Sequence, residues 1–454
     1  MNNFIRKMTI TGLFEEDEPR ILDFSEDINC IFGVNGSGKT TIINLIVYML
    51  NCSVKRLIDL PFHSATMELC KFGNKKSKEL ITVTKVSENT ILYHFSPEDI
   101  REEVIISTDE SAPKCNKYEE VLQLLNKKVR HTHVPLSRLQ DAGESQFETY
   151  DNYMLSKFLQ ARHMPKSEIL NIIDPTRRMM SDLSQQFEQK YMQIQKVINK
   201  ETDRFKNTLV RKTLLDDSYT EKVDELFSKW VNYPDTDLTH YDSTTIMEKL
   251  KTANIDISKV ELERHLDVWE NINKDIIEAK SKLGPDNNNI GDYAKCFFRM
   301  FALKSLFDTF MSIISDIEDM EKKKNDMLKL FSETESVINE FFKKGGKENK
   351  DTTKRFYFDQ TGRMRIKSPK KDLKLTELSS GEKHLIALLG RVALAQREGS
   401  IFIADEPELS LHLEWQRKII PAIKQLSPKT QIIVATHSPA IIPSKAKMIK
   451  LGGA

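Results

Sequence analysis

The sequence has few cysteines, no long apolar run and no excess of charge of either sign. Its five cysteines are odd in number and never form a C-x-x-C pair, which disfavours a disulfide scaffold and a structural zinc site. No stretch approaches the roughly 20 apolar residues of a membrane span, and the first residues lack a signal-peptide core. The chain has 68 basic and 67 acidic residues, which excludes a globally basic protein that binds nucleic acid over its whole surface. These absences predict a cytoplasmic protein with no membrane partner.

Glycine is also missing from a long central stretch. None occurs between residues 144 and 283, whereas both ends of the 454-residue chain have the strand and helix patterns of an α/β domain. Apolar residues in the centre recur at spacings of three and four, which is typical of helices. The strongest ladder comprises Leu303, Leu306, Phe310, Ile313, Ile317, Met320, Met327, Phe331, Ile338 and Phe341. It fits a coiled-coil seam or a long amphipathic helix on a bundle.

The layout therefore predicts an α/β domain divided in two by a helical insertion. The N-terminal half is expected over 1–150, the insertion over 151–345 and the C-terminal half over 346–454. β-Branched and aromatic runs in the first half predict a small antiparallel sheet and a short buried strand. The strands are expected at 5–11, 21–24, 28–32, 80–86, 91–95 and 104–107.

Residues 33–40 match the phosphate-loop pattern G-x-x-x-x-G-K-[ST] in full, between an apolar strand and a helix. Glycines let backbone N–H groups point at phosphate oxygens, and the helix N-terminus adds a favourable dipole. Lys39 is expected to bridge the β- and γ-phosphates, and the Thr40 hydroxyl to bind Mg²⁺. The predicted nucleotide-binding residues are Gly33, Asn35, Gly36, Gly38, Lys39, Thr40 and Thr41. This motif alone leaves kinases, GTPases and ATPases open.

Three further motifs lie near the C-terminus. Residues 378–382 (LSSGE) open a helix, residues 401–406 form an apolar run ending in two carboxylates, and a second apolar run ends at His437. Each has an ordinary explanation by itself: a capping turn, a cap for the next helix, or a structural histidine. Their order and their joint presence with the phosphate loop make coincidence remote.

The combination resembles the ABC-type ATPases of the SMC, RecF and OLD branch, with 378–382 as the signature motif and 401–406 as Walker B. The resemblance implies that Asp405 holds the Mg²⁺ shell, that Glu406 positions or deprotonates the attacking water, and that His437 contacts the γ-phosphate. It also implies that Ser379 and Gly381 reach ATP held by a second subunit. A homo-oligomer follows, a dimer at least and possibly a hexamer.

Two positions fit this resemblance less well. The glutamine that this family places between the phosphate loop and the insertion, as an ATP and Mg²⁺ contact, is best matched by Gln140, with Gln146 as a substitute. After Walker B, residues 410–412 read SLH where many members have an aspartate. The role of that aspartate is therefore not carried over.

Residues 405–412 and 436–439 look especially like the OLD-type ATPases of bacterial defence. Stand-alone ATPases of similar layout are those of the PARIS system (AriA, with a TOPRIM-type nuclease) and of the Septu system (PtuA, with an HNH nuclease). Only seventeen residues follow His437, so a nuclease is expected on a separate chain. The expected function is an ATP-hydrolysing scaffold or sensor that holds and releases a nuclease effector, with PARIS slightly favoured. The alternative is a RecF- or SMC-like ATPase of DNA repair.

A basic stretch and a histidine pair complete the candidates. Residues 343–371 hold eleven Lys or Arg against three Asp or Glu, which suits an acidic phage protein, DNA, or a merely solvated hairpin. His131 and His133 are expected to be an exposed pair on a strand.

Overall fold

The computed structural model describes residues 3–105, 116–134, 175–212, 242–252, 255, 257–282, 290–343, 354–395 and 400–451. The chain divides into two units, one of residues 1–190 with 330–454 and one of residues 191–329. The predicted fold class is confirmed: a mixed α/β head is interrupted in sequence by long helices. Among the described residues, no helix has both the length and the apolar character to cross a membrane.

The strands alternate in the first unit with short helices and loops. In chain order they are β1 Asn3–Thr11, β2 Arg20–Asp23, β3 Ile28–Phe32, β4 Ser64–Lys71, β5 Asn74–Ser87, β6 Thr90–Ser96, β7 Ile100–Ile105, β8 His131–Val134, β9 Arg355–Phe358, β10 Met364–Lys367, β11 Asp372–Leu373, β12 Ile401–Asp405, β13 Gln431–Thr436 and β14 Lys447–Lys450. The helices are α1 Lys39–Leu50, α2 Val54–Asp59, α3 Asn116–Lys128, α4 Pro175–Lys212, α5 Ser243–Thr252, α6 Lys259–Ser281, α7 Ile290–Phe342, α8 Ser380–Leu394 and α9 Leu413–Leu426.

An antiparallel sheet of six strands has the order β2-β1-β4-β5-β6-β7. In β4 and β6, buried and half-buried side chains alternate, as a sheet with one covered face requires. The predicted antiparallel sheet is thereby confirmed, with β4 as a strand that the sequence analysis missed. A small sheet of β11-β10-β9 precedes α8.

The second large sheet is entirely parallel, in the order β14-β3-β13-β12-β8. Every residue of β12 and β13 is buried, because a parallel sheet is covered on both faces and its strands are continuously apolar. Helix α1 contributes its buried residues to one hydrophobic core shared by both sheets. The carboxyl ends of β3, β13 and β12 lie side by side, which places whatever follows each strand at one edge.

The second unit is helical and has its own core. Residues of α5, α6 and α7 form it, with Trp269 and Phe307 stacked at 4.4 Å between ring centroids. The predicted ladder lies on one 53-residue helix, α7, but Leu306 is 64% exposed while Phe307 and Ile314 are buried. The ladder residues Ile317, Phe331, Ile338 and Phe341 are buried, so the predicted apolar face is present on α7 and is interrupted at Leu306.

Strand β8 forms one edge of the parallel sheet, and it carries His131 and His133. The expectation of an exposed pair is wrong, since both side chains are half-buried. Burial lowers the pKa of His131 to about 4, and its Nε2 atom lies 3.1 Å from Oδ1 of Asn51.

Candidate active site

The phosphate loop connects β3 to α1, and its backbone conformation explains its glycines. Gly36 and Gly38 have φ of 83° and 85°, in the left-handed region that other residues seldom adopt. Gly38 is also the residue immediately before the helix, so the first free N–H groups of α1 open into the loop. Phe14, which the sequence analysis did not single out, covers Gly38: a β-carbon there would lie 2.7 Å from its ring.

Lys39 is folded back into this loop. Its side chain is only 5% exposed, and Nζ donates to the carbonyl oxygens of Gly33 at 2.9 Å and Val34 at 3.0 Å. The ammonium group is thus held inside the concave side of the loop by neutral acceptors. A charged phosphate oxygen is a stronger acceptor than these carbonyls, so the arrangement suits an anion. Asn35, Gly36 and Thr40 are exposed, while Gly33 is buried and Thr41 half-buried.

Asp405 ends β12 and faces the start of α1. It is 8% exposed, accepts a hydrogen bond from the Thr40 side chain, and its Oδ1 atom is buried with no hydrogen-bond partner among the described residues. Burial raises the pKa of this carboxyl, while the Thr40 hydrogen bond and the Lys39 charge act against the rise. A buried carboxylate oxygen without a partner beside a threonine hydroxyl fits a hard divalent cation.

Few protein groups are available to such a cation. No cluster of three or more His, Cys, Asp or Glu side chains able to hold a metal occurs in the part of the chain that the structure describes. Mg²⁺ is commonly bound by one or two protein oxygens together with substrate phosphates and water. Thr40 and Asp405 match a site of that kind. They do not form a site in which the protein supplies all the ligands.

Glu406 and His437 follow the ends of neighbouring strands and meet. His437 Nδ1 lies 3.3 Å from Oε1 of Glu406, and the two side chains are 46% and 24% exposed, respectively. The Glu406 backbone has a φ of 48°, and its N–H donates to the carbonyl of Ala435 at 2.8 Å. The strained conformation turns the carboxylate out of the strand direction, towards the histidine.

The signature residues sit at the start of α8. Ser379 caps this helix: its Oγ accepts from Glu382 N at 3.3 Å, and its N–H donates to the Glu382 carboxylate at 2.9 Å. The capping turn considered from sequence is therefore present. A β-carbon at Gly381 would lie 2.5 Å from the backbone oxygen of Ser410, so only glycine fits there. Among the described residues, neither Ser379 nor Gly381 hydrogen-bonds to the phosphate loop or to His437.

Sequence reasoning missed two buried groups near this site. Glu408 is 2% exposed, and burial raises the pKa of its carboxyl. His384 of α8 is 3% exposed and its Nε2 atom lies 3.1 Å from the carbonyl oxygen of Pro407, while burial lowers its pKa to about 4. Neither has a sequence signal beyond lying within a motif. Gln140 and Gln146 lie outside the described residues.

A protein-family profile described as an AAA ATPase domain matches residues 5–442. The chain belongs to this ATPase family. Membership supports ATPase activity in general.

Within this ATPase family, curated relatives match over short segments. The chain is 45% identical over 65 residues to Septu protein PtuA of Bacillus thuringiensis, which covers 14% of this chain and 16% of PtuA. It is 35% identical over 80 residues to a retron Ec83 probable ATPase of Escherichia coli, covering 15% of each protein. The chain therefore aligns with about a sixth of the length of these relatives.

A solved structure resembles the chain over most of its length. The Smc head domain with an extended coiled coil from Pyrococcus furiosus aligns with a TM-score of 0.42 and 14% identity, covering 97% of this chain and 91% of that one.

Proposed function

We propose that this member of the ATPase family is an ABC-type enzyme that hydrolyses Mg²⁺-ATP. One observation carries the proposal: the phosphate loop, the Asp405 carboxylate and the Glu406–His437 pair meet at the carboxyl edge of one parallel sheet. Phosphoryl transfer to water needs a phosphate cradle, a cation site and a group that orients the attacking water. Each has a residue of suitable chemistry here.

The proposed roles follow from the contacts. The loop amides and Lys39 bind the β- and γ-phosphates, and Thr40 and Asp405 bind the Mg²⁺ ion. A Mg²⁺ ion held there would neutralise charge on the transferred phosphoryl group. Glu406 is partly exposed and beside His437, so it accepts a hydrogen bond from the attacking water and takes its proton. His437 contacts the γ-phosphate and, through Nδ1, keeps the Glu406 carboxylate in place.

The signature residues are proposed to act on a second copy of the chain. Ser379 is exposed, and α8 presents its N-terminus beside it, an arrangement that favours an anion. In a dimer that holds two ATP molecules between its subunits, the γ-phosphate bound by one copy would lie at the α8 N-terminus of the other. The proposed assembly is thus a dimer at least, with higher oligomers built from it.

We further propose a role in antiphage defence, as a scaffold or sensor that holds a separate nuclease effector. The short matches to Septu and retron ATPases support this role. They favour a Septu-like arrangement, with an HNH nuclease, over the PARIS-like one with a TOPRIM-type nuclease that the sequence layout slightly favoured.

The test compares Lys39→Ala and Glu406→Gln with the wild type. Lys39→Ala is expected to weaken ATP binding at least about tenfold, because the ammonium lies at the phosphate position. Glu406→Gln is expected to bind ATP but to release phosphate at least about 100-fold more slowly, and to dimerise with ATP on size-exclusion chromatography with light scattering. Lys55→Ala, an exposed lysine on α2, is the matched control.

Two outcomes contradict the proposal. A wild-type protein that releases no phosphate from ATP excludes the enzyme. For the defence role, tight ATP-dependent binding of duplex DNA with no nuclease co-purifying from the native host contradicts the scaffold and favours DNA repair.

A further inference from the structure

Glu408 is a buried carboxylate close to the proposed ATP site. Neither the family resemblance nor the proposed hydrolysis mechanism gives this residue a role. It lies two residues after Glu406, at 2% exposure. Its Oε1 atom accepts hydrogen bonds from the Thr436 hydroxyl and from the Ser438 N–H at 3.3 Å. Its Oε2 atom is buried and has no hydrogen-bond partner among the described residues. Burying such a group costs free energy unless other interactions in the site compensate for it.

The two partners of Glu408 are the residues on either side of His437. Thr436 is completely buried, and its Oγ1 also accepts from Ser438 N at 2.9 Å. The backbone before and after the histidine is therefore fixed to one carboxylate. His437 Nδ1 lies 4.0 Å from Oε1 of Glu408, in addition to 3.3 Å from Glu406.

A further layer of hydrogen bonds supports the same loop. Ser438 Oγ donates to Gln416 Oε1 at 2.9 Å, and Gln416 Nε2 donates to the carbonyl of Leu411 at 3.0 Å. The loop after β13 is thus tied to α9 and to the loop after β12. Glu408 is the charged member of this network.

We propose that Glu408 is the positioning residue of His437: it fixes the loop through Thr436 and Ser438 and holds the Nδ1 side of the imidazole towards the two carboxylates. This inference rests on the proposed ATP hydrolysis. With Nδ1 carrying the proton that faces Glu406 and Glu408, Nε2 is directed to the γ-phosphate. The negative charge of Glu408, with Oε1 4.0 Å from Nδ1, also attracts this side of the ring and helps to hold its orientation.

A neutral amide separates these two effects. Glu408→Gln keeps an acceptor oxygen for Thr436 and Ser438 and removes the charge, whereas Glu408→Ala removes both. Thr436→Val keeps the shape of the threonine and removes its donor while leaving Glu408 in place. Glu414→Gln, on the exposed first turn of α9, is a matched control that leaves the network intact.

Steady-state ATP hydrolysis is measured for each variant with and without His437→Ala. We expect Glu408→Gln to lower kcat at least about tenfold, with KM for ATP and Tm close to wild type, and Glu408→Ala to lower it further. Because Glu408 acts through His437, each double variant is expected to have the kcat of His437→Ala alone. Thr436→Val is expected to behave like Glu408→Gln.

Losses that multiply in the double variants, or an unchanged kcat in Glu408→Gln, overturn the inference. If Glu408→Gln does not fold, the Thr436→Val cycle decides by the same criterion. A wild-type protein without ATP turnover overturns the proposed function and this inference with it. Wild-type turnover with an unaffected Glu408→Gln overturns the inference only.

Discussion

Three carboxyl groups follow one another at the end of β12, in three different surroundings. Asp405 is buried beside Thr40 and Lys39, Glu406 is partly exposed beside His437, and Glu408 is buried beneath the histidine loop. Burial raises the pKa of the first and the third. The roles proposed above, a cation ligand, a solvent-accessible base and a positioning anion, thus fall on one short segment, because each side chain meets a different environment.

The neutral histidine His384 makes stability depend on pH. Its pKa of about 4 in the folded protein lies below the ordinary value of 6.5, because burial disfavours the charged ring. The unfolded chain therefore binds the proton first as pH falls. The stabilisation is complete above about pH 6.5 and is lost between pH 6.5 and 4, at up to about 1.4 kcal/mol per pH unit.

We predict that in His384→Gln about one proton fewer is taken up on unfolding in this pH range, so that the free energy of unfolding depends less steeply on pH. Urea unfolding of wild type and variant between pH 7 and 4.5 measures it, since other titrating groups contribute equally to both. His131 also has a pKa of about 4 and provides the parallel case in His131→Gln. Identical pH slopes for wild type and His384→Gln would contradict the prediction, since they would mean that the ring takes up its proton over the same pH range in the folded and unfolded states.

Gln431 joins the two large sheets. It is fully buried at the start of β13, its Oε1 accepts from Ile5 N at 2.9 Å, and its Nε2 donates to the carbonyls of Ile5 and Ser25 at 2.7 Å each. Pairing of β1 with β2 begins only at Lys7, so Gln431 satisfies backbone groups that the sheet leaves open.

Replacing Gln431 by leucine is expected to lower the free energy of unfolding by about 2 kcal/mol or more. The buried N–H and carbonyl groups of Ile5 lose their partner, and each unsatisfied group costs about 1–3 kcal/mol, whereas the Ser25 carbonyl keeps its hydrogen bond from Asn29. Gln185→Leu, an exposed change of the same type on α4, is expected to stay within about 0.5 kcal/mol. Chemical denaturation of both variants tests the difference, and equal effects would contradict it.

Local patterns were sufficient for the elements that carry motifs. Strand β3 was predicted with its observed bounds and a helix was predicted directly after the phosphate loop, because the glycine loop and the apolar runs define them without distant contacts. Strand β4 was missed, since Ala65 and Glu68 have little preference for strands and the alternation ends in two consecutive buried residues, Leu69 and Cys70. The buried roles of Glu408 and His384 could not be predicted, because their partners Thr436 and Pro407 are fixed by tertiary packing.

The ion pairs in the structure change the interpretation of the basic stretch 343–371. Of the eight basic residues that the structure describes within 343–371, five are paired within the chain, in the ion pairs Lys343–Glu340, Lys354–Glu382, Arg363–Glu188, Arg365–Asp359 and Lys371–Glu377. Exposed pairs stabilise little, but they lower the local positive potential that an acidic partner would meet. The structure therefore favours the solvated hairpin over a strong docking surface for polyanions.

We predict weak, salt-sensitive DNA binding for the purified protein. At about 150 mM salt the dissociation constant for duplex DNA is expected to be no tighter than about 1 μM, the range of non-specific binding. Fluorescence anisotropy over a salt series, with and without ATP, measures it. A steep salt dependence together with nanomolar affinity would instead indicate that the stretch 343–371 binds DNA. A matched series with Lys367→Glu would show whether the binding site lies in this stretch.

The central strand β3 pairs on both sides with strands from the other end of the chain, β13 and β14. About 400 residues separate the paired segments, so the parallel sheet has a very high contact order. The antiparallel sheet, built from neighbours in sequence, is able to form first on the ribosome. At about 5–20 residues per second, the phosphate-loop strand then waits roughly 20–80 s for its partners to be synthesised. During that interval the apolar edges of β3 have no strand partners, so we expect the partly synthesised chain to be prone to aggregation at this strand.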